Sequence, residues 1–383
     1  MPARALRRFE DELRSTFAVR HVFPLSSGTA ALTVALRALA SISDRTDVIL
    51  PAYTCFTVPA AVVQAGLRPV LCDIGHHTFD FDYARLAPLL NRRTLAVIVH
   101  HLFGIPSDIA RARQLCAGVG AFVIEDAAQA MGVEAGGRMI GTLGDLGVFS
   151  LGRGKHVTCG EGGVIVTDAA RIAAAIERQY RSVPRATARE AVVGLAKNAV
   201  MCAFIRPSLY WIPANMPFLR LGETIYPTRI VVRRLSGMHA GLMHRMGARL
   251  ERGRRVRRRT AAELRRRLGF ASREDHDRHS YLRLPVYAAT PQDTTRLFAL
   301  AHRRGFGVAK GYPSAVSEIP ALRDRFRGQR FPRATRVSEH LLTLPTHHWL
   351  RDADLQAIVD HVRGSVDVSC PLDAAEVFER EGA

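Results

Sequence analysis

Between Phe122 and Thr167 the chain alternates short apolar runs with polar, glycine-rich turns. The runs cover residues 121–124, 146–149 and 164–166, each too short for a stable helix. Runs of that length bounded by turn residues read as buried strands. An acidic residue, Asp126, follows the first run; Ser150 and Lys155 follow the second, five residues apart. The glycines of Gly160-Glu161-Gly162-Gly163 permit a tight return beside the lysine segment, and Glu161 is given no catalytic role. Polar side chains delivered at strand ends are the layout of a ligand site on an α/β sheet, where ligands lie beyond the carboxyl ends of the strands.

The lysine narrows the chemistry. Of 54 Lys and Arg, only Lys155, Lys197 and Lys310 are lysine. An amine can lose its proton and condense with a carbonyl, whereas a guanidinium cannot. Lys155 therefore reads either as a Schiff-base lysine for pyridoxal phosphate (PLP), or as a structural ion-pair partner or remnant of codon usage. PLP requires a carboxylate at its ring nitrogen, which Asp126 would supply; the same residue type also caps helices at such turns. PLP requires a phosphate cradle as well. Ser26-Ser27-Gly28-Thr29 opens the helical segment 30–39, and a helix N-terminus offers free N–H groups to a phosphate, or is simply capped.

Taken together, Ser-Gly-Thr-Ala-Ala-Leu (27–32), Pro-x-Tyr-Thr (51–54), Val-His-x-Phe-Gly (99–104, allowing one extra residue), Glu-Asp-Ala-Ala-Gln (125–129), Phe-Ser-(x)4-Lys (149–155) and Gly-Glu-Gly-Gly (160–163) resemble the DegT-like sugar aminotransferases. The resemblance is dense over 24–170 and thinner over 230–363. It implies aminotransferase fold type I: an α/β chain with a large PLP-binding domain, its mostly parallel sheet sandwiched by helices, plus a smaller C-terminal α/β domain. It implies that Lys155 binds PLP and moves the substrate proton, that Asp126 pairs with the ring nitrogen, that Gln129 lies near the ring's 3-hydroxyl, and that Gly28, Thr29 and Ser150 hold the phosphate. His101, Tyr312 and His347 stand on the substrate side by the same resemblance, His101 having a structural alternative. The implied reaction is transamination of a keto-sugar, nucleotide-diphosphate-linked, with glutamate as donor, in surface-polysaccharide or secondary-metabolite biosynthesis, by a homodimer.

Two departures stand out. Where the family stacks an aromatic residue on the PLP ring this chain has Cys55, followed by Phe56; either Phe56 covers the ring or something smaller does. Where the family carries Asn-Tyr-Arg for a contact across the dimer, this chain has Val232-Arg233-Arg234, so a surviving contact falls to an arginine. Three other functions remain open. Sugar-dehydratase relatives replace the lysine with His, but here His156 stands beside Lys155. A non-catalytic relative and a basic nucleic-acid or membrane-binding protein are the others; the formal charge of +19 also suits an anionic small substrate, and nucleic acid is not expected as a partner.

At 383 residues and 48% hydrophobic content the chain suits two domains, drawn at 1–229 and 230–383. Six scattered cysteines without a C-x-x-C pair imply neither a metal site nor a disulfide framework, and fit a cytoplasmic protein. The charged segment 1–20 does not read as a signal peptide. Phe9, Leu13 and Phe17 mark a leading helix, and helix and strand then alternate to residue 124. Residues 182–226 read as an irregular helical insert covering the sheet or a dimer interface; the apolar part, 191–219, alternatively touches a membrane surface. The arginine-rich segment 249–267 reads as a helix with a solvated charged face, and Val256, Leu264 and Leu268 inward. Beyond it, strands are expected at 282–287, 305–309 and 342–347, and helices at 291–304 and 352–362.

Overall fold

The architecture is that of a computed structural model, which describes residues 2–75, 78–204, 224–271, 279–364 and 367–372. The larger sheet holds β1 (His21–Leu25), β2 (Asp47–Pro51), β3 (Arg68–Cys72), β4 (Thr94–His100), β5 (Phe122–Asp126), β8 (Leu146–Ser150) and β9 (Gly163–Thr167). A short hairpin, β6 (Glu134–Ala135) and β7 (Arg138–Met139), lies outside it. Its order is β1-β9-β8-β5-β4-β2-β3. Only β9 runs against the others, pairing antiparallel with β8 and β1. The helices around it are α1 (Pro2–Phe17), α2 (Gly28–Ala40), α3 (Thr57–Gln64), α4 (Tyr83–Leu86), α5 (Ile109–Ala117), α6 (Ala170–Ser182) and α7 (Ala188–Phe204). The central strands are continuous apolar runs because both their faces are covered.

Strand alternation positions the site. Along β5, Val123 joins the core beneath α5, whereas Ile124 joins the core around α2. Successive side chains of a strand point to opposite faces, so Asp126 shares the α2 face with Ile124. Along β8, Leu146 and Val148 face α2, and Ser150 follows in the same register.

The remaining helices are α8 (Gly237–Gly241), α9 (Met246–Leu268), α10 (Pro291–Arg304), α11 (Pro332–His340) and α12 (Asp352–Arg363). The second sheet, β11 (Ala309–Lys310), β12 (Leu341–Pro345), β10 (Arg283–Ala288) and β13 (Val368–Ser369) in that order, is antiparallel throughout. The strand expected over 305–309 is confined to Ala309–Lys310, because Gly305 and Gly307 both take φ of 69°, which ends α10 and breaks extended backbone. Residues 230–250 pack on the larger sheet: Leu25 bridges Arg234, and Met243, Met246 and Leu250 share a core with Phe9 and Leu13. We therefore propose that the division between a large and a small unit falls within α9 rather than at 229/230. Of the insert at 182–226, α7 is described; Pro207, Pro213 and Pro217, and most of the 191–219 stretch considered for membrane contact, lie outside the described residues. No helix among the described residues is long and apolar enough to cross a membrane.

The charged face of α9 is solvated only in part. Arg255 and Arg266 pair with Glu251 and Glu263 at the surface, and the part-buried Arg254 and Arg267 pair with Glu134 and Glu263. Arg265, by contrast, is buried and donates to the Ala271 carbonyl, and Val256 is only half-buried.

Candidate active site

The start of α2 lies against the end of β8. Ser27 caps the helix, accepting from the Ala30 amide at 3.0 Å, and its carbonyl takes the Ala31 amide at 2.9 Å. The amides of Gly28 and Thr29, in the first turn of α2, have no acceptor within the helix. A Cβ at Gly28 would stand 3.0 Å from the Ser150 Cβ and 3.3 Å from its Oγ, so only glycine lets the helix end come this close to the serine hydroxyl. Free amides at a helix N-terminus beside the Thr29 and Ser150 hydroxyls form a cradle of the size and donor chemistry of a phosphate.

Asp126 and Lys155 meet on this same side. The Asp126 carboxylate accepts from the Ala128 amide at 3.1 Å. Burial pushes its pKa up from the ordinary value, against the pull of that amide, of Lys155 and of His101. Burial pushes the Lys155 ammonium down, opposed by Cys55 and Asp126, so its free amine is easier to reach than that of a surface lysine. A buried carboxylate and a lysine made less basic, next to a phosphate cradle, is the donor set PLP needs at its ring nitrogen, aldehyde and phosphate.

A third group closes the mouth. Gln129 accepts from the Phe103 amide at 3.0 Å and donates Nε2–H to the Tyr312 hydroxyl at 2.7 Å. The Tyr312 amide donates to the Tyr53 hydroxyl at 2.8 Å, and the two rings lie 5.5 Å apart. Burial holds the Tyr312 phenol well above its ordinary pKa, helped by Cys55, whose thiol it meets, and by Asp126. Phe103 takes φ of 59°, a left-handed conformation that aims its amide at Gln129.

The profile of the DegT/DnrJ/EryC1/StrS aminotransferase family matches residues 3–204 and 222–363. The chain belongs to this family. It is 35% identical over 161 residues to GDP-perosamine synthase of Vibrio cholerae, covering 42% of this chain and 44% of that one. It is 36% identical over 176 residues to the UDP-N-acetyl-3-dehydro-alpha-D-glucosamine 3-aminotransferase of Acidithiobacillus ferrooxidans, covering 46% of each. The matched stretch thus spans less than half of these curated relatives. Among solved structures, DesV of S. venezuelae in complex with a ketimine intermediate superposes with a TM-score of 0.72 at 26% identity, over 94% of this chain and 88% of DesV. DesI, solved in the presence of its TDP-sugar product, gives 0.71 at 25% identity over 98% and 87%. Family members are PLP-dependent aminotransferases, and the cradle, carboxylate and lysine of this member fit that cofactor.

The structure brings Gly28, Thr29, Ser150, Asp126, Lys155, Gln129, Cys55 and Tyr312 to one mouth. Phe56 is packed into the main core at 6% exposure, whereas Cys55 is half-buried and faces Lys155 and Tyr312; the thiol is the residue that meets the site. His101 is 1% exposed with both nitrogens in use, Nε2 on Glu125 at 3.1 Å and Nδ1 accepting from the Ser107 amide at 3.0 Å, which leaves none for a substrate. His156 gives its Nε2 to the Gln129 carbonyl at 3.0 Å, and burial together with Arg257 pushes its pKa down to about 3. Arg234 caps α6 through the Tyr180, Arg181 and Val183 carbonyls, and Arg233 lies 3.6 Å from Glu190. His347 sits past the end of β12, with its Nδ1 buried and unpartnered.

Sequence reasoning missed two residues here. Tyr53 lay inside the Pro-x-Tyr-Thr stretch without a role and proves to position Tyr312. Arg257 was hidden in the arginine run of α9, yet its Nη1 donates to the Leu282 carbonyl at 2.8 Å and the Thr346 hydroxyl at 3.1 Å. A cavity of about 1070 Å³ lined by Phe326, Arg330 and His340 contains none of the residues of this mouth.

Proposed function

We propose that this chain is a PLP-dependent aminotransferase that moves an amino group from glutamate to a keto-sugar carried on a nucleoside diphosphate. The observation that carries the reading is the convergence of Lys155 and Asp126 beside the Gly28–Ser150 cradle. The names of the relatives, which act on GDP- and UDP-linked sugars, support the acceptor class.

When bound, PLP supplies an electron sink for the pair left behind as the donor's α-carbon loses its proton. Thr29, Ser150 and the free amides of α2 hold the phosphate. Asp126 would pair with the protonated ring nitrogen, and the positive charge it met there would offset the burial that otherwise favours its neutral form. Gln129 and Tyr312 order the edge of the mouth, and Cys55 presents a small surface where an aromatic side chain would leave less room. Lys155, its basicity lowered by burial, would take the proton from the donor's α-carbon and pass it to the carbon on the far side of the amine nitrogen, the former aldehyde carbon of the cofactor; in the second half it would do the same for the sugar in reverse. The donor leaves as its 2-oxo acid and the sugar keeps the amine.

We place the enzyme in the cytoplasm, in surface-polysaccharide or secondary-metabolite synthesis, and as a homodimer. Val192, Val193 and Val200 on α7 are exposed, which supports a covered surface there; sedimentation at monomer mass would reject the dimer.

The test is an absorbance spectrum with added PLP, before and after borohydride, beside Lys155→Ala. A visible band in the wild type, trapped on the peptide carrying Lys155 and missing from the variant, is expected. A wild type with no band refutes the reading.

A further inference from the structure

Helix α9 crosses from the lysine loop to the smaller sheet. A Cβ at Gly253 would lie 3.8 Å from the His156 carbonyl, and Arg257, one turn on, falls on the same face. Its guanidinium reaches the start of β10 and the residue after β12, donating through Nη1 to Leu282 O and Thr346 Oγ1. Both acceptors are neutral. Among the described residues no carboxylate pairs with Arg257, unlike Arg254 one turn earlier, which holds Glu134 and Glu251. A guanidinium carries five donors, and here one nitrogen makes both bonds. Among the described residues neither Nε nor Nη2 donates a hydrogen bond, and the side chain is only partly buried.

Among the described residues no carboxylate acts on Arg257 or His347. Burial alone pulls the Arg257 pKa down to about 10. Burial, then Arg257 and Arg283, hold the His347 ring down to about 4, so it is neutral at physiological pH and its buried Nδ1 has no partner. Arg252 and His348 lie on the same side. An unpaired, partly desolvated cation is costly unless a ligand neutralises it. Such a cation beside an unsatisfied imidazole, within electrostatic range of the residue next to Lys155, has the chemistry of a receptor for an oxyanion.

We infer that Arg257, with His347 beside it, is the group that receives an oxyanion of the substrate, a carboxylate of the amino donor or a phosphate of the sugar nucleotide. The inference rests on the aminotransferase reading for the identity of those ligands, and on the geometry alone for the anion site.

The experiment titrates glutarate and, separately, uridine diphosphate into the PLP-treated protein by calorimetry, for wild type, Arg257→Leu and Arg257→Lys. The wild type is expected to bind at least one, the leucine variant to bind it about tenfold to a hundredfold more weakly, and the lysine variant to recover part of the loss. Loss for glutarate alone assigns the donor carboxylate, and loss for the diphosphate alone assigns the sugar nucleotide. If the leucine variant does not fold, Arg257→Gln, which keeps a donor for Leu282 and Thr346, takes its place. Unchanged binding of both probes, or no binding of either by the wild type, overturns the inference. The visible PLP band, read in the same samples, is independent of that outcome and reports separately on the aminotransferase reading.

Discussion

Replacing Glu125 by glutamine tests how β5 is anchored where it delivers Asp126. Glu125 is fully buried on the face opposite Asp126. One carboxylate oxygen accepts from the Leu143 and Gly144 amides at 2.5 and 2.6 Å; the other accepts from the Gly141 amide at 2.8 Å and the His101 ring at 3.1 Å. Glutamine has the same shape but only one accepting oxygen. Whichever way its amide turns, two donors face an NH2 group. His101 cannot repair this by moving its proton, because its Nδ1 already accepts from Ser107 and a proton there would orphan that amide. Hydrogen bonds to a charged group contribute about 1.5–3 kcal/mol each, so losing two costs about 3–6 kcal/mol. With a urea dependence of about 3 kcal/mol per molar, the unfolding midpoint falls by about 1–2 M. A loss below about 1 kcal/mol would refute the reasoning.

The same carboxylate fixes the sign of the pH dependence. Burial by itself would raise its pKa, but the His101 ring and the Gly141 and Gly144 amides outweigh burial and hold it below its ordinary 4.5. A group depressed in the folded state gives stability that is present above its unfolded pKa and lost as pH falls through the folded one. The difference between wild type and Glu125→Gln is therefore greatest above about pH 5 and shrinks on acidification below 4.5. Urea midpoints between pH 3 and 7 check it; a difference that grows on acidification would contradict the assignment.

Two further substitutions probe the mouth itself. Gly28→Ala sets a methyl 3.0 Å from the Ser150 Cβ; PLP affinity, read by fluorescence titration, is expected to fall about tenfold while the fold's stability changes by less than about 1 kcal/mol. Gly311→Ala sets a methyl against the Tyr53 hydroxyl and 2.8 Å from Leu341, which displaces the bond to the Tyr312 amide; a stability loss of about 1–3 kcal/mol by thermal unfolding is expected, with the spectrum of bound PLP shifted, and an unchanged spectrum would detach Tyr312 from the site.

Much of this was legible in the chain because the central strands are buried on both faces. β4 and β5 show as apolar runs ending in polar residues, and period-two alternation then assigns Asp126 and Ser150 to a common side. The direction of β9 was not legible, since the short apolar run 164–166 reads the same parallel or antiparallel. Nor was the shortening of β11, where two glycines in a left-handed conformation outweigh an apolar pattern. The inward arginines of α9 mark the sharper limit. Hydropathy places every arginine outside, and for Arg255 and Arg266 that holds. Arg257 and Arg265 turn inward because acceptors distant in sequence, the Leu282 carbonyl for one and the Cys370 sulfur for the other, stand ready. Those acceptors exist only once the smaller sheet has closed on the helix, so no window of local sequence contains them. The same holds for Gln129 and Tyr312, 183 residues apart yet joined at 2.7 Å. The groups proposed to hold a cofactor stand at strand ends and can be read locally, whereas those proposed to face a substrate depend on how two sheets meet. That is why Lys155 and Asp126 were accessible from the sequence and Arg257 was not.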